Sequence, residues 1–278
     1  MKSQYPRVSI VTPSFNQGRF LEETIISVLD QGYPNLEYII IDGGSSDNSV
    51  SIIKKYEYHL SYWVSENDRG QTHAINKGFN KCTGDILHWL NSDDVLLPCS
   101  LDLVAEFFEQ HPDIDCLIGD LEVINSKGQS LTLKKAIPFD FKTALYTSCL
   151  VPQPSTFFTR RAWEKTGYLD ISLHYQMDFE YFLRMAKAGI KFGLLNKPLA
   201  KFRLHEDSKT VSEYNDLFFE SYRRIQDQYL TDTIKNMKFK EEFLDLMNIY
   251  YKARSFFIRA LMRRDFIPYK HKRSRKNI

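Results

Sequence analysis

The chain lacks any apolar run near the roughly 20 residues that cross a membrane. Its start, Met1-Lys2-Ser3-Gln4-Tyr5-Pro6-Arg7, leads almost directly into a strand-like segment. No apolar leader is expected there, and a cytoplasmic protein is. The four cysteines, Cys82, Cys99, Cys116 and Cys149, form no C-x-x-C pair, which argues against a zinc site and for reduced thiols. The chain also lacks a large excess of either charge. With 37 basic and 35 acidic residues the net charge is +2, so the molecule as a whole is not built to bind nucleic acid. Neither G-x-G-x-x-G nor G-x-x-x-x-G-K-S/T occurs after a strand, which disfavours the two nucleotide classes those loops serve. Internal repeats and low-complexity segments are absent too.

What is present is 278 residues of ordinary globular composition, 43% hydrophobic, enough for one large core or one domain with an appendage. The first hundred residues alternate strand and helix patterns. Val8 to Thr12 is a β-branched run expected to stop at Pro13, and Phe20 to Gln31 has apolar residues at helical spacing before Gly32. Glu37 to Ile41 reads as a second strand, Ser49 to Tyr56 as a helix, Tyr62 to Ser65 as a strand and Gln71 to Phe79 as a helix. Asp85 to Leu90 reads as a fourth, buried strand. Strands joined by helices through short links imply βαβ units and a mostly parallel sheet flanked by helices. Further on, Ser100 to Gln110 and Tyr175 to Ala188 fit helices, Asp115 to Asp120 and Phe192 to Leu195 fit strands, and Asn125-Ser126-Lys127-Gly128 fits a hairpin turn. From Tyr214 the chain reads as a helical extension that becomes basic after Arg263, with a boundary near Thr210, giving units 1–210 and 211–278.

In open α/β sheets ligands sit beyond the carboxyl ends of the strands, and four of these strands end in polar residues. Leu90-Asn91-Ser92-Asp93-Asp94 delivers two adjacent carboxylates to that edge, an arrangement suited to a hard divalent cation that also holds phosphates, although the same residues suit a solvated turn. Asp42 precedes Gly43 and Gly44, which permit close backbone approach to a ligand. Ser46 or Asp47 serves better as the following helix cap, leaving Asp42 free to accept from a nucleobase N–H. Asp68 and Arg69 could hold a base and a phosphate, or lie in a solvated loop. Asp178, near a helix start with apolar neighbours Phe179 and Phe182, could be a general base; the helix dipole alone would also favour it. Glu180 is a weaker candidate, able to pair with Arg184 four residues on. His205 could touch phosphate or metal, or be a lone surface histidine. Gln153 and Ser155, in an extended loop with two prolines, could line an acceptor pocket or be purely structural.

Taken in order, Thr12-Pro13-Ser14-Phe15-Asn16, Asp42 to Asp47, Asp68-Arg69-Gly70-Gln71, Ala74 to Gly78, Leu90 to Asp94 and Met177 to Arg184 resemble family 2 glycosyltransferases of the GT-A fold, from about Val8 to Lys209. The resemblance implies an inverting transfer from a nucleotide-sugar donor, most often a UDP-sugar, with Mn²⁺ or Mg²⁺. Thr12, Asp42 and Asp68 would face the nucleoside, with Arg69 nearby. Asn91-Ser92-Asp93 stands at the family's D-x-D position with Asn in place of the first acid. Asp93 would then be the main metal ligand, with Asp94 a ligand or its support, and Asp178 would be the catalytic base. The acceptor would be a glycan or lipid-linked hydroxyl in cell-surface polysaccharide or lipopolysaccharide synthesis. Separately from the resemblance, Phe243 to Met262, which alternates aromatic or aliphatic with basic positions, and the basic cluster after it could lie on the anionic inner face of the cell membrane or instead cap the catalytic domain. A non-catalytic sugar-nucleotide-binding protein is the different-class alternative. A nucleotidyltransferase would want a glycine-rich basic loop after the first strand, and a glycoside hydrolase would not need the nucleoside-side acids.

Overall fold

The computed structural model describes residues 5–147, 151–206, 208 and 216–263. The first half alternates as the apolar periodicity implies. Strands β1 (Val8–Ser14), β2 (Leu36–Asp42), β3 (Tyr62–Ser65) and β4 (Ile86–Trp89) alternate with helices α1 (Gly18–Leu29), α2 (Ser49–Lys55) and α3 (Gln71–Phe79). These strands lie in the order β3-β2-β1-β4, all parallel. Strand β1 runs two residues past the expected stop: Pro13 stays in register with Ile41. Backbone direction alternates along a strand, so its nitrogen faces β4, where the ladder has already ended at Val11–Trp89. The missing N–H therefore costs no ladder bond.

The second half extends the sheet with β5 (Val95–Leu96), β6 (Cys116–Asn125), β7 (Ser130–Lys134), β8 (Thr156–Thr159) and β9 (Phe192–Leu204), interleaved with α4 (Ser100–Gln110), α5 (Phe141–Thr147), α6 (Arg160–Thr166) and α7 (Met177–Lys187). Both β6 and β9 run well beyond the short segments their apolar cores suggest. Each supplies the other's hydrogen bonds in a parallel ladder from Cys116–Phe192 to Asn125–Leu204, bulged around Asp120. Strand β8 joins β4 to β6 antiparallel, and β5 lies antiparallel on β9. Gln153–Ser155 is a buried 3₁₀ turn rather than an extended loop.

Side chains alternate between the two faces of the sheet. Ile10, Tyr38, Ile40 and Leu90 pack with α1 and α4 on one face. Val11, Ile39, Ile41 and Trp89 pack with α3 and α7 on the other. Helices α8 (Asp216–Tyr229), α9 (Asp232–Lys235) and α10 (Lys240–Arg263) follow. Ile225, Leu230 and Leu244 join the α3/α7 core, so these helices share a core with the sheet. The boundary expected near Thr210 and the basic residues after Arg263 lie outside the described residues.

Candidate active site

The register brings Ser14, Asp42 and Ser65 side by side at the carboxyl ends of β1, β2 and β3. Asp42 is fully buried. Its Oδ1 accepts from the Ser45 hydroxyl (2.6 Å), and its Oδ2 from the Gly44 and Ser45 amides (3.1 and 2.9 Å) and the Ser65 hydroxyl (2.7 Å). The free carboxylate expected there is instead the pin of the Gly43–Asp47 loop, because donors from the loop and from β3 both converge on it. Asp47, one residue before the Asn48 N-cap of α2, accepts from the first amides of α2 and α1, Ser49 and Gly18. The glycines earn their place through what lies above them. A Cβ on Gly43 would sit 2.8 Å from Asp68 Oδ2, and one on Gly44, at φ +83°, 2.6 Å from Asn67 Oδ1. Asp68, half-buried, accepts from the Gly70 amide at 2.7 Å. Arg69 beside it is exposed. Thr12, expected to face a nucleoside, is fully buried with Oγ1 3.1 Å from the Tyr38 hydroxyl, because strand alternation turns it into the α1/α4 face.

At the end of β4, Asn91-Ser92-Asp93-Asp94 forms a turn closed by the Asp94 amide donating to the Asn91 carbonyl (3.1 Å). Gln71, the first residue of α3, donates to Asn91 Oδ1 at 2.7 Å. Ser92 is buried. Asp94 is fully buried; its carboxylate accepts from the Arg203 amide (3.1 Å) and from Asn91 Nδ2 (3.3 Å). Burial first, and then the charge of Asp93, hold its carboxyl well above the ordinary carboxylate range. Asp94 therefore supports the turn from beneath and does not offer itself to a ligand. Asp93 points the other way, with Oδ2 3.0 Å from His205 Nε2. Long β9 makes that meeting. Because β5 pairs with β9 immediately after Asp94, the residues that end β9 lie against the turn. Buried Arg203, absent from the expected site, donates from Nε to the Asp93 carbonyl (2.9 Å) and from Nη2 to Glu23 (2.6 Å). Its only sequence signal is a charged residue in a strand-like run.

The Asp93–His205 contact has the length of an ordinary hydrogen bond and equally the spacing of two ligands on one cation. Two neighbouring ligands of an octahedral ion at about 2.1 Å stand about 3.0 Å apart, which is the Nε2–Oδ2 separation. Imidazole and carboxylate together suit a first-row divalent ion. His205 Nδ1 is buried without a hydrogen-bond partner among the described residues, and against an ionised Asp93 it is Nε2 that donates, so Nε2 would exchange that proton for an ion. Among the described residues no group of three His, Cys, Asp or Glu side chains gathers as a metal cage. The pair thus fits an ion completed by a diphosphate, not one held by protein alone.

Asp178 lies in the first turn of α7, after Gln176 in the left-handed region (φ +60°). It is half-buried, and its Oδ1 accepts from the Phe179 amide at 2.9 Å. Desolvation raises its carboxyl above the ordinary value. The Thr72 hydroxyl in the first turn of α3 lies 2.8 Å from Met177 Sδ and 3.2 Å from the Leu173 carbonyl. One helix start thus touches both the Asn91 turn, through Gln71, and the residue before Asp178, through Thr72. The segment leading into α7 and helix α8 enclose a cleft of about 360 Å³ lined by Ser172, His174, Tyr175, Glu220 and Arg224.

Three expected pocket residues are placed otherwise. Glu180 is buried and clamped by Arg184, with two contacts of 2.9 Å, and by the Tyr229 hydroxyl at 3.0 Å, so it ties α7 to α8. Gln153 is buried and donates to the Trp89 carbonyl (2.6 Å), and Ser155 is fully buried beside it. Gln153 thereby ties the turn to the end of β4, while the Ser155 hydroxyl is buried without a hydrogen-bond partner among the described residues.

The family model described as glycosyl transferase family 2 matches residues 9–177. Chondroitin synthase of Escherichia coli is 26% identical over 228 residues, 81% of this chain but 33% of that protein. Staphylococcus aureus TarS 1–349, solved with UDP-GlcNAc, superposes with a TM-score of 0.66 at 19% identity over 90% of this chain and 73% of that one. The mannosyltransferase PcManGT of Pyrobaculum calidifontis, solved with GDP-Man and Mn²⁺, gives 0.59 at 17% identity over 96% and 77%. The fold is accordingly of the GT-A type, a mixed α/β sheet with most of its paired residues in parallel ladders and helices on both faces.

Proposed function

This chain belongs to glycosyl transferase family 2 and is a glycosyltransferase, and we propose that it moves a sugar, with inversion, from a UDP-sugar to a hydroxyl of a glycan or lipid-linked acceptor. Cell-surface polysaccharide or lipopolysaccharide assembly is the setting this reading favours, in the cytoplasm with the basic carboxyl-terminal segment against the membrane. The observation that carries it is the Asp93–His205 pair at the end of β4, linked through the start of α3 to the residue before Asp178. The nucleoside lies over the Gly43–Gly44 loop. Asp42 holds that loop in shape, Asp68 supplies the carboxylate beside it, and Arg69 is the nearby cation. Thr12 contributes the floor through its backbone. Asn91 and Ser92 shape the turn that presents Asp93.

Asp93 and His205 would hold Mn²⁺ or Mg²⁺, with Asp94 supporting from below. When bound, the ion neutralises charge on the leaving diphosphate. Asp178 takes the acceptor hydroxyl's proton; a carboxyl raised by desolvation is better matched to that task near neutral pH than an ordinary one. The acceptor approaches through the cleft between the segment before α7 and helix α8. The test is thermal stability of the purified chain against UDP, UDP-sugars and GDP-mannose, with and without Mn²⁺. A metal-dependent rise with UDP or a UDP-sugar supports the reading. A rise with GDP-mannose alone replaces the donor, and a folded protein that responds to none of them overturns it.

A further inference from the structure

Helix α10 has two apolar faces, and only one is used. Phe243, Leu244, Met247 and Tyr251 pack into the core beside α5, and Asn248 donates to the Tyr146 carbonyl at 2.7 Å. The opposite face carries Leu246, Ile249, Tyr250, Phe256, Phe257 and Leu261, all exposed, with Ile249, Phe256 and Phe257 at 66, 67 and 65%. Spacings of three, four, seven and eight residues put these side chains on one continuous stripe, and no described residue covers it. A stripe of large apolar groups that size marks an interaction surface.

The charges around the stripe indicate what covers it. The helix begins with the exposed acids Glu241, Glu242 and Asp245, and from Lys252 to its end every charged residue is basic: Lys252, Arg254, Arg259 and Arg263. Residues 264–278 add six more basic residues against the single acid Asp265. Helical phase places Lys252 and Arg259 along one edge of the stripe. Aromatic and aliphatic groups on one face with cations at the rim are the pattern of a helix lying in the interface of an anionic bilayer. At 24 residues the helix spans about 36 Å. No described helix is long and apolar enough to cross a membrane, so such a helix lies on the surface. We propose that the exposed face of α10 is a membrane-docking surface that inserts Tyr250, Phe256 and Phe257 into the headgroup boundary and selects anionic lipid. This deepens the membrane contact proposed above, replacing a purely electrostatic tail with a folded apolar surface, and it does not depend on the donor.

The test is co-sedimentation of the full chain with vesicles of phosphatidylcholine, alone or mixed with phosphatidylglycerol. Binding is expected with the mixed vesicles only. It should fall about a hundredfold on joint Phe256→Ser and Phe257→Ser substitution, roughly tenfold per ring, and about fivefold for each basic residue removed at the rim. The two Ser variants should keep the wild-type melting temperature and any UDP-induced rise, since neither ring touches the core. Failure to bind either vesicle overturns the proposal, as does equal binding to both. A concentration-dependent dimer that the Ser pair dissolves, without vesicle binding, assigns the stripe to a second copy instead. Vesicle binding by a chain that ignores UDP leaves this surface standing and removes the donor reading.

Discussion

Replacing Asp93 with Asn keeps the shape of the turn and removes one of the two protein groups facing the proposed cation. Asp93 Oδ2 and His205 Nε2 are 3.0 Å apart, and no third His, Cys, Asp or Glu side chain gathers with them among the described residues. Half of the protein's share of the coordination would therefore go. Even changes in groups that only orient a metal ligand cost roughly 10–100-fold in affinity, so about a hundredfold loss is expected here. A ligand present at about 100 times its Kd stabilises the fold by about 2.7 kcal/mol; after a hundredfold loss about 0.4 kcal/mol remains. At roughly 2–4 °C per kcal/mol for a chain of this size class, a rise of about 5–10 °C with UDP and Mn²⁺ should shrink to about 1 °C. Without metal, Asp93→Asn should match wild type. Its ligand-free melting temperature should be equal or higher near neutral pH, because the charge of Asp93 disfavours ionisation of buried Asp94. An unchanged metal-dependent rise in the variant would remove Asp93 from the site. An equal loss with and without metal would mean the substitution acts on the fold instead.

Other expectations follow from the same geometry. Arg184→Ala leaves Glu180 buried opposite nothing but Tyr229, and breaking such a pair costs about 3–5 kcal/mol; urea denaturation showing less than about 1 kcal/mol would contradict that. Gly43→Ala displaces the Asp68 carboxylate, 2.8 Å from the new methyl. It should weaken UDP binding about tenfold with little change in melting temperature; intact affinity in calorimetry would take Asp68 away from the donor. Burial raises the Asp178 carboxyl, so the folded state favours its neutral form. The stability this contributes is full below the ordinary carboxylate pKa and is lost as pH rises through the raised one. Asp178→Asn should therefore melt higher than wild type near neutral pH and equally in acid, and a lower melting point at neutral pH would count against a desolvated carboxylate.

The alternating first half was legible because each element carries its own period and its own stop, as with Gln71–Phe79 and Tyr62–Ser65. Strands β6 and β9 were legible only at their apolar cores. Their extensions, which in β9 pass through a bulge with exposed Asn196 and Lys197, exist because each strand is the other's partner, and pairing across about 75 residues leaves no local mark. The same limit applies at the site. Asp42 reads as free although Gly44 and Ser45, two and three residues on, bond it locally; only the Ser65 donor, on another strand, leaves no mark nearby. Thr12 reads as ligand-facing until the alternation of β1 turns it toward Tyr38. His205 reads as a lone surface histidine until β9 carries it to Asp93. The i, i+4 pairing of Glu180 with Arg184 was legible, since helical spacing alone places them together, but its burial under Tyr229 was not.

If Asp178 is the base in transfer from a UDP-sugar, its removal must stop release of UDP. Wild type and Asp178→Asn would be incubated with a panel of UDP-sugars, Mn²⁺ and candidate oligosaccharide acceptors, with donor affinity measured in parallel. Equal donor affinity is expected, with turnover reduced roughly 10²–10⁴-fold in the variant. Equal turnover by the two proteins, at equal donor affinity, would contradict it.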